Sequence, residues 1–417
     1  MLLELLHRSL NLSQLARLGW GRSQQRILLS LLLLSLCMTT GCSLPEVSAE
    51  SRLFAPIALE FVDDYTLPPT VIKDVPVGGL SGLTYDAQKG VFYAVSDDRS
   101  QFAPARFYTL IPQLKTDKTT HQLTIKTVDI TATTPLLQAD GKTYARGTID
   151  AEGIALSPRG TVFISSEGDA QAQIPPSINE YDQKTGQWVK ALPIPAAYLP
   201  QVTEDGTRQG VQNNKAFEGL TINTDATADL FRVFAAIEQP LEQDRTPPPA
   251  TSATAQDAAP LPKDKLRILH YALIPSRADL VGEYVYELDP PPVGTIEHGL
   301  SEILSWDNAG RFLALERSLG LAGFSSKIYQ FTFAGARDVQ TAKSLQGLPA
   351  DWQPVRKQLL LDLSELGVSL DNVEGMALGP KLPDGSPSLW IVSDNNFDKD
   401  QVTQFLLFRL KTIKTQP

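Results

Sequence analysis

Five times along this chain a glycine- or acid-bearing turn opens a short apolar run, and a second run follows that ends in carboxylate. The copies are "GGLSGLTYDAQKGVFYAVSDD" from Gly78, "DAEGIALSPRGTVFISSEGD" from Asp150, "KAFEGLTINTDATADLFRVFAAIEQ" from Lys215, "GLSEILSWDNAGRFLALERS" from Gly299 and "DNVEGMALGPKLPDGSPSLWIVSDNN" from Asp371. A long-period repeat constrains a fold more than any local signal, because each unit must bury its apolar face against the next. The turns "DAQKG", "SPRG", "DNAG" and "LPDG" carry the Asp, Pro and Gly that reversals need, so each copy reads as a hairpin.

Two further strand-like runs follow each hairpin, for example "RFYTLIP" and "LTIKTVDI" after the first. The fifth copy has only "QFLLFRLK" before the chain ends, and "IALEFVDDYTL", from Ile57 to Leu67, is left over at the start. Four-stranded units repeated around a ring predict an all-β β-propeller of five blades. Its last blade is closed by the N-terminal strand, which removes the free sheet edges. The unit starts at Gly82, Gly153, Gly219, Glu302 and Gly375 lie 71, 66, 83 and 73 residues apart. That is longer than the roughly 40–50 residues of common propeller repeats, so a sixth blade lacking the phrase would fit inside a connection. The competing architecture is a β-sandwich with helices.

Residues 1–41 are read apart from this domain. Arg22 and Arg26 precede the apolar run "ILLSLLLLSLCM", and "TTGC" ends at Cys42. A basic flank, a short apolar core and small residues make a secretory signal. Gly41-Cys42 resembles a lipoprotein processing site, with Cys42 as the lipidated residue; an ordinary signal peptide or an uncleaved anchor are the alternatives. Each places the globular part outside the cytoplasm, in the periplasm or cell envelope. Residues 42–52 form a tether, and 53–412 form a single propeller domain. Within it, the Pro- and Ala-rich stretch 243–264 reads as an exposed insertion.

The only cysteines are Cys37 and Cys42, so the domain has no disulfide or thiol chemistry. The leader carries four arginines against Glu4, a net of +3, so the remainder carries −13 where the whole chain carries −10. Such an acidic surface disfavours nucleic acid and anionic membranes as partners. Membrane contact is therefore expected only through the N-terminal lipid or anchor, and the protein is expected to be a monomer. No nucleophile elbow, phosphate loop or dinucleotide fingerprint is present.

What remains is carboxylate. One set precedes the first strand of a unit: Glu152, Glu218, Glu302 and Glu374, with Asp150 and Asp371 nearby and Ser81 in the first unit. A second set follows the next strand: Asp97, Asp98, Glu167, Asp169, Glu238, Glu316 and Asp394. In an antiparallel hairpin the start of one strand and the end of the next share an end. Both sets should therefore crowd one face around the axis. Like charges a few Å apart cost about 1 kcal/mol per pair even in water. One answer is internal ion pairing with Arg99, Arg106, Arg146, Lys215, Arg317 and Lys327. The other is a hard cation such as calcium, held by Asp97, Asp98, Glu167, Asp169, Glu316 and Asp394. Arg99, Arg106, Lys215 and Arg317 could then hold phosphate oxygens, and Glu152, Glu218 or Glu374 could activate water.

The motifs "GGLSGLTYD…FYAVSDDR…ARFY", "DAEGIAL…VFISSEGD", "NKAFEGLTI", "FLALERS" and "NVEGMALG…LWIVSDNNF…TQFLLFRL" together resemble the phytase-like family, across about Leu53 to Lys411. The family is also described as having phytase-type esterase activity. The resemblance implies acidic functional residues at Asp97, Asp98, Glu152, Glu167, Glu218, Glu316, Glu374 and Asp394, and a phosphoester hydrolase acting on a small phosphate ester. The first unit lacks the glutamate before its glycine, so the ring is incomplete. The alternative is a non-catalytic propeller that binds a ligand or partner at the same face.

Overall fold

A computed structural model describes residues 53–246, 263–349 and 351–413. The leader 1–41, Cys42 and the tether fall outside these residues, as does the middle of the Pro- and Ala-rich stretch. The described residues form five four-stranded antiparallel blades in a ring. Blade 1 runs Leu80–Asp86, Val91–Ser96, Arg106–Thr116, Leu123–Pro135, from axis to rim. Blade 2 is Ala151–Leu156, Thr161–Ser166, Ser177–Asp182, Trp188–Ala191; blade 3 is Phe217–Ile222, Phe231–Ile237, Lys265–Ile274, Arg277–Glu287. Blade 4 is Thr295–Ser305, Arg311–Gly320, Gly323–Thr332, Arg356–Asp362. Blade 5 is Asn372–Leu378, Ser388–Asp394, Gln404–Thr412, and its rim strand is Ile57–Thr66 from the N-terminal end. That closing pair runs from Ile57 opposite Thr412 to Thr66 opposite Gln404. No sixth blade and no α-helix occurs among the described residues.

The hairpin turns follow the sequence reading; Gly160, which ends "SPRG", takes φ 73°, a conformation that favours glycine. The core is shared between blades rather than gathered in one centre. Phe92 of blade 1 packs on Trp390 of blade 5, ring centroids 5.4 Å apart. Phe163 meets Phe231 between blades 2 and 3 at 5.9 Å, and Phe234 meets Phe312 between blades 3 and 4 at 4.8 Å. Truncating one such buried aromatic typically costs about 3–5 kcal/mol, so each seam contributes to holding the ring shut.

At the axis the inner strands approach so closely that a side chain is excluded. A Cβ on Gly153 would lie 2.5 Å from the Glu218 carbonyl oxygen of the next blade, and one on Gly82 would lie 2.4 Å from that of Glu152. This is why glycine follows the glutamate in the repeated phrase. The long connection between the third and fourth strands of blade 4 forms no extra blade: its Val339 and Leu345 pack against Val285 of blade 3. The insertion at 243–264 also begins later than the sequence suggests. Asp244 is buried and accepts from Arg267 Nε at 2.6 Å, so it belongs to the fold.

Candidate functional site: an acidic ring at one mouth of the axis

Two positions per blade build the site. In every blade the pairing of the two inner strands slips by one residue near its start, a β-bulge that re-aims a side chain. The residues in this register are Ser81, Glu152, Glu218, Ser301 and Glu374. The second position follows the paired end of the neighbouring strand: Asp97, Glu167, Glu238, Arg317 and Asp394. Blade 4 therefore departs twice from blades 2, 3 and 5, and shares its serine only with Ser81 of blade 1. It supplies Ser301 and Arg317, where blades 2, 3 and 5 supply two acids.

This register corrects two assignments. Glu302 does not belong to the glutamate position; it occupies the glycine position of the phrase. Its carboxylate accepts from the backbone N–H of Ile303 at 2.9 Å in its own strand and from that of Leu220 at 3.0 Å, across the seam to the neighbouring blade 3. Burial pushes its pKa well above the carboxylate range, against the pull of those donors. Glu316 lies one residue before the ring position and points to the other side of its strand. It accepts from Tyr286 Oη at 2.8 Å and pairs with Lys357, between blades 3 and 4. It is not a ligand at the axis.

Asp98, Asp169 and Arg106 are also diverted. Asp98 is buried in an ion pair with Arg106 and accepts from Phe102 N at 2.8 Å and Ala103 N at 3.0 Å, so it staples its own loop. Arg106 donates besides to Tyr108 Oη at 2.7 Å and is 2% exposed, so it cannot reach a substrate. Asp169 accepts from Ala172 N at 2.8 Å within its own turn. Asp394 is buried and accepts from Asn396 N at 2.8 Å; burial lifts its pKa to about 6.

The remaining predicted residues converge. A mouth cavity of about 330 Å³ is lined by Asp97, Glu152, Glu218, Glu374, Lys215 and Arg317, together with Asn213, Asn214 and Asn372. Its two sides differ in charge. On the side of blades 3 to 5, Arg317 donates to Glu238 Oε1 at 2.9 Å and to Glu374 Oε1 at 2.7 Å. Lys215 Nζ lies 3.1 Å from Glu238 Oε2. Glu374 also accepts from Asn372 Nδ2 at 2.7 Å; burial, with Asp394 and Glu238, outweighs Arg317 and lifts its pKa to about 8.

On the side of blades 1 to 3 the cations run out. Arg99 Nε donates to Asp150 Oδ1 at 2.6 Å. Asp97, Glu152, Glu167 and Glu218 have no Lys, Arg or His partner in an ion pair among the described residues; Arg99 pairs with Asp150, and Lys215 and Arg317 are taken up by Glu238, Glu297 and Glu374. Glu167 accepts from Ala216 N through one oxygen, while its Oε2 is buried without a partner. Burial first, then repulsion from neighbouring carboxylates, Asp150 and Glu238 among them, holds all four well above the ordinary carboxylate range. The carboxylate oxygens of Asp97, Asp150 and Glu152 lie within 4.8 Å of one another, as do those of Glu152, Glu167 and Glu218. An all-oxygen donor set of this charge suits a hard divalent cation, so the residues present fit one.

Asp150 and Glu238 are the members to which sequence reasoning gave no role. Asp150 stands two residues before Glu152, the spacing that shares a strand face. Glu238 follows its strand as Glu167 does in blade 2.

The opposite end of the axis is a wider depression of about 800 Å³, lined by Leu83, Ile154, Leu156, Leu220, Ile222, Met376 and Leu378, with Asp86, Lys89 and Lys381 also present. Its lining is mainly apolar, in contrast to the acidic mouth.

Solved structures similar in fold include the catalytic domain of the Coprinopsis cinerea GH62 α-L-arabinofuranosidase, at 8% identity and TM-score 0.38, covering 85% of this chain and 97% of that one. Another is the α-L-arabinofuranosidase of Podospora anserina in complex with cellotriose, at 7% identity and TM-score 0.37, covering 84% and 96%. Likeness at this level carries no functional argument. The comparison with curated proteins yields no match. The phytase-like family model, described as "esterase-like activity of phytase", matches residues 75–397, and with most of its length inside that match the chain belongs to the phytase-like family.

Proposed function

We propose that this propeller is a metal-dependent phosphoester hydrolase whose reaction takes place at the acidic mouth, with calcium as the cation. One observation carries the reading: the buried Glu152, Glu167 and Glu218 and the partly buried Asp97 are gathered with no cationic side chain in an ion pair to balance them among the described residues. Asp97, Asp150, Glu152, Glu167 and Glu218 are the residues that would hold the cation. When bound, it supplies Lewis acidity and admits an anionic phosphate into an anionic pocket.

The chain's own groups do the rest. Asp150 orients the Arg99 guanidinium, whose side chain is 37% exposed and so can still donate to a phosphate oxygen. Lys215, between Glu238 and Glu297, offers a point charge at the same mouth. Glu374 lines the pocket outside the uncompensated cluster, with a pKa of about 8. It is the carboxylate suited to take a proton from attacking water near neutral pH. Arg317 is engaged by Glu238 and Glu374 and keeps Glu374 in place rather than meeting substrate. The basic-then-apolar leader and Cys42 support an activity outside the cytoplasm, tethered by lipid.

The test is turnover of aryl phosphate monoesters and diesters by the purified protein, with calcium and then with chelator. Chelator-sensitive hydrolysis is expected, and no such hydrolysis on either class defeats the reading. The ion-paired side of the ring favours the second reading, a propeller that binds without reacting. It is distinguished by a calcium-dependent rise in melting temperature with no turnover.

A further inference from the structure

We propose that the mouth holds a pair of divalent cations bridged by the Glu152 carboxylate, an inference that rests on the cation-binding reading above. The cluster is two overlapping triads, Asp97 with Asp150 and Glu152, and Glu152 with Glu167 and Glu218, each with donor oxygens within 4.8 Å of one another. Glu152 is the one residue common to both. Two cations sharing a carboxylate sit roughly 3.5–4 Å apart in known two-metal sites, a separation that side-by-side triads with a common member can supply.

A second observation points to an occupant of the inner triad. Glu167 is 2% exposed, and its Oε2 is buried with no hydrogen-bond partner. Its other oxygen is already committed to the Ala216 N–H. A buried, unpaired carboxylate oxygen is costly unless something positive meets it. Glu152 and Glu218 beside it are buried as well and have no ion-pair partner among the described residues.

Charge decides between one cation and two. Lys215 and Arg317 are matched by Glu238 and Glu374, so the five carboxylates of the two triads are left with one ion-paired guanidinium, that of Arg99 on Asp150. The excess is four negative charges, which two divalent cations neutralise and one leaves half uncovered. The sites are unequal. The outer one contains Asp97, which is only partly buried, and Asp150, whose charge Arg99 already shares. The inner one has three buried carboxylates and no ion-paired Lys, Arg or His among the described residues. The inner cation binds more tightly, and the outer one exchanges.

Calorimetric titration of the chelator-stripped, purified protein with calcium chloride tests this. Two calcium ions per chain are expected, in two phases of different affinity. Asp97→Asn removes the weaker phase and Glu167→Gln the tighter one, each leaving one ion per chain. Glu152→Gln weakens both phases at least tenfold. These substitutions keep side-chain shape and remove negative charge, so melting in chelator at or above the wild-type midpoint shows the fold intact. A single ion per chain, no binding, or a Glu152→Gln variant that loses only one phase overturns the bridge. Two bound ions without phosphoester turnover leave the bridge standing and remove the hydrolase; chelator-sensitive turnover with one ion per chain does the reverse.

Discussion

The two sides of the ring are built from the same repeated phrase and balance their charge differently. Around Arg317 the carboxylates of Glu238 and Glu374 are answered within the protein. Around Glu152 they are answered, among the described residues, only by Arg99, through Asp150. The difference traces to blade 4, which places Arg317 where the other blades place an acid, and Ser301 where three of them place glutamate. A change at Arg317 in one repeat thus balances part of the acidic ring within the protein and leaves the rest uncompensated.

The largest effect should come from breaking the balanced side. Arg317→Met leaves Glu238 and Glu374 buried without their shared partner, and losing one member of a buried ion network costs about 3–5 kcal/mol. A melt in chelator should show a fall of that size; a variant as stable as wild type would mean that the two sides are not distinct.

Calcium should act on the other side. At a free concentration one hundred times the dissociation constant, a single site stabilises by about 2.7 kcal/mol. Denaturant midpoints with and without calcium measure this, and equal midpoints would remove the case for a ligand on the uncompensated side.

The pH response of the metal-free protein follows from Glu374 and Asp394, whose pKa values of about 8 and about 6 lie above their unfolded values of 4.5 and 3.8. Between the unfolded and folded values the native state holds the extra protons, so stability falls as pH rises. Denaturation in chelator should therefore show lower stability at pH 8 than at pH 5. A flat profile would mean that Arg317 keeps Glu374 ionised throughout.

The smallest effect on cation binding belongs to Glu316→Gln. Glu316 is held by Tyr286 and Lys357 away from the axis, so calcium affinity should stay within about twofold, since well-separated sites that share no partner usually couple by no more than about 0.5 kcal/mol. Overall stability should still fall, because Lys357 loses a partner.

Much of the fold is legible in the chain. The phrase at Gly78, Asp150, Lys215, Gly299 and Asp371 marks each hairpin, and the unpaired run at Ile57 identifies the closing strand. Both are local patterns, since turn glycine and strand length act within one unit. The site is only half legible. Glu152, Glu218, Glu374 and Asp97 reach the mouth as their spacing implies. Glu302 and Glu316 look like members in the linear sequence but are each displaced by one residue, and a one-residue slip turns a strand side chain to the opposite face. Asp98 and Arg106 share the composition of ligands yet satisfy each other, which depends on a loop folding back.

The order of residues is thus enough to specify blade number, closure and the abundance of acid near the axis, because these depend on period and on which residues turn or extend. Which acids remain without a partner depends on the bulge register, on the closeness of neighbouring inner strands and on the reach of Arg317 across blades. Those are distances between segments far apart in the chain, and electrostatic energy is set by distance and burial rather than by sequence separation.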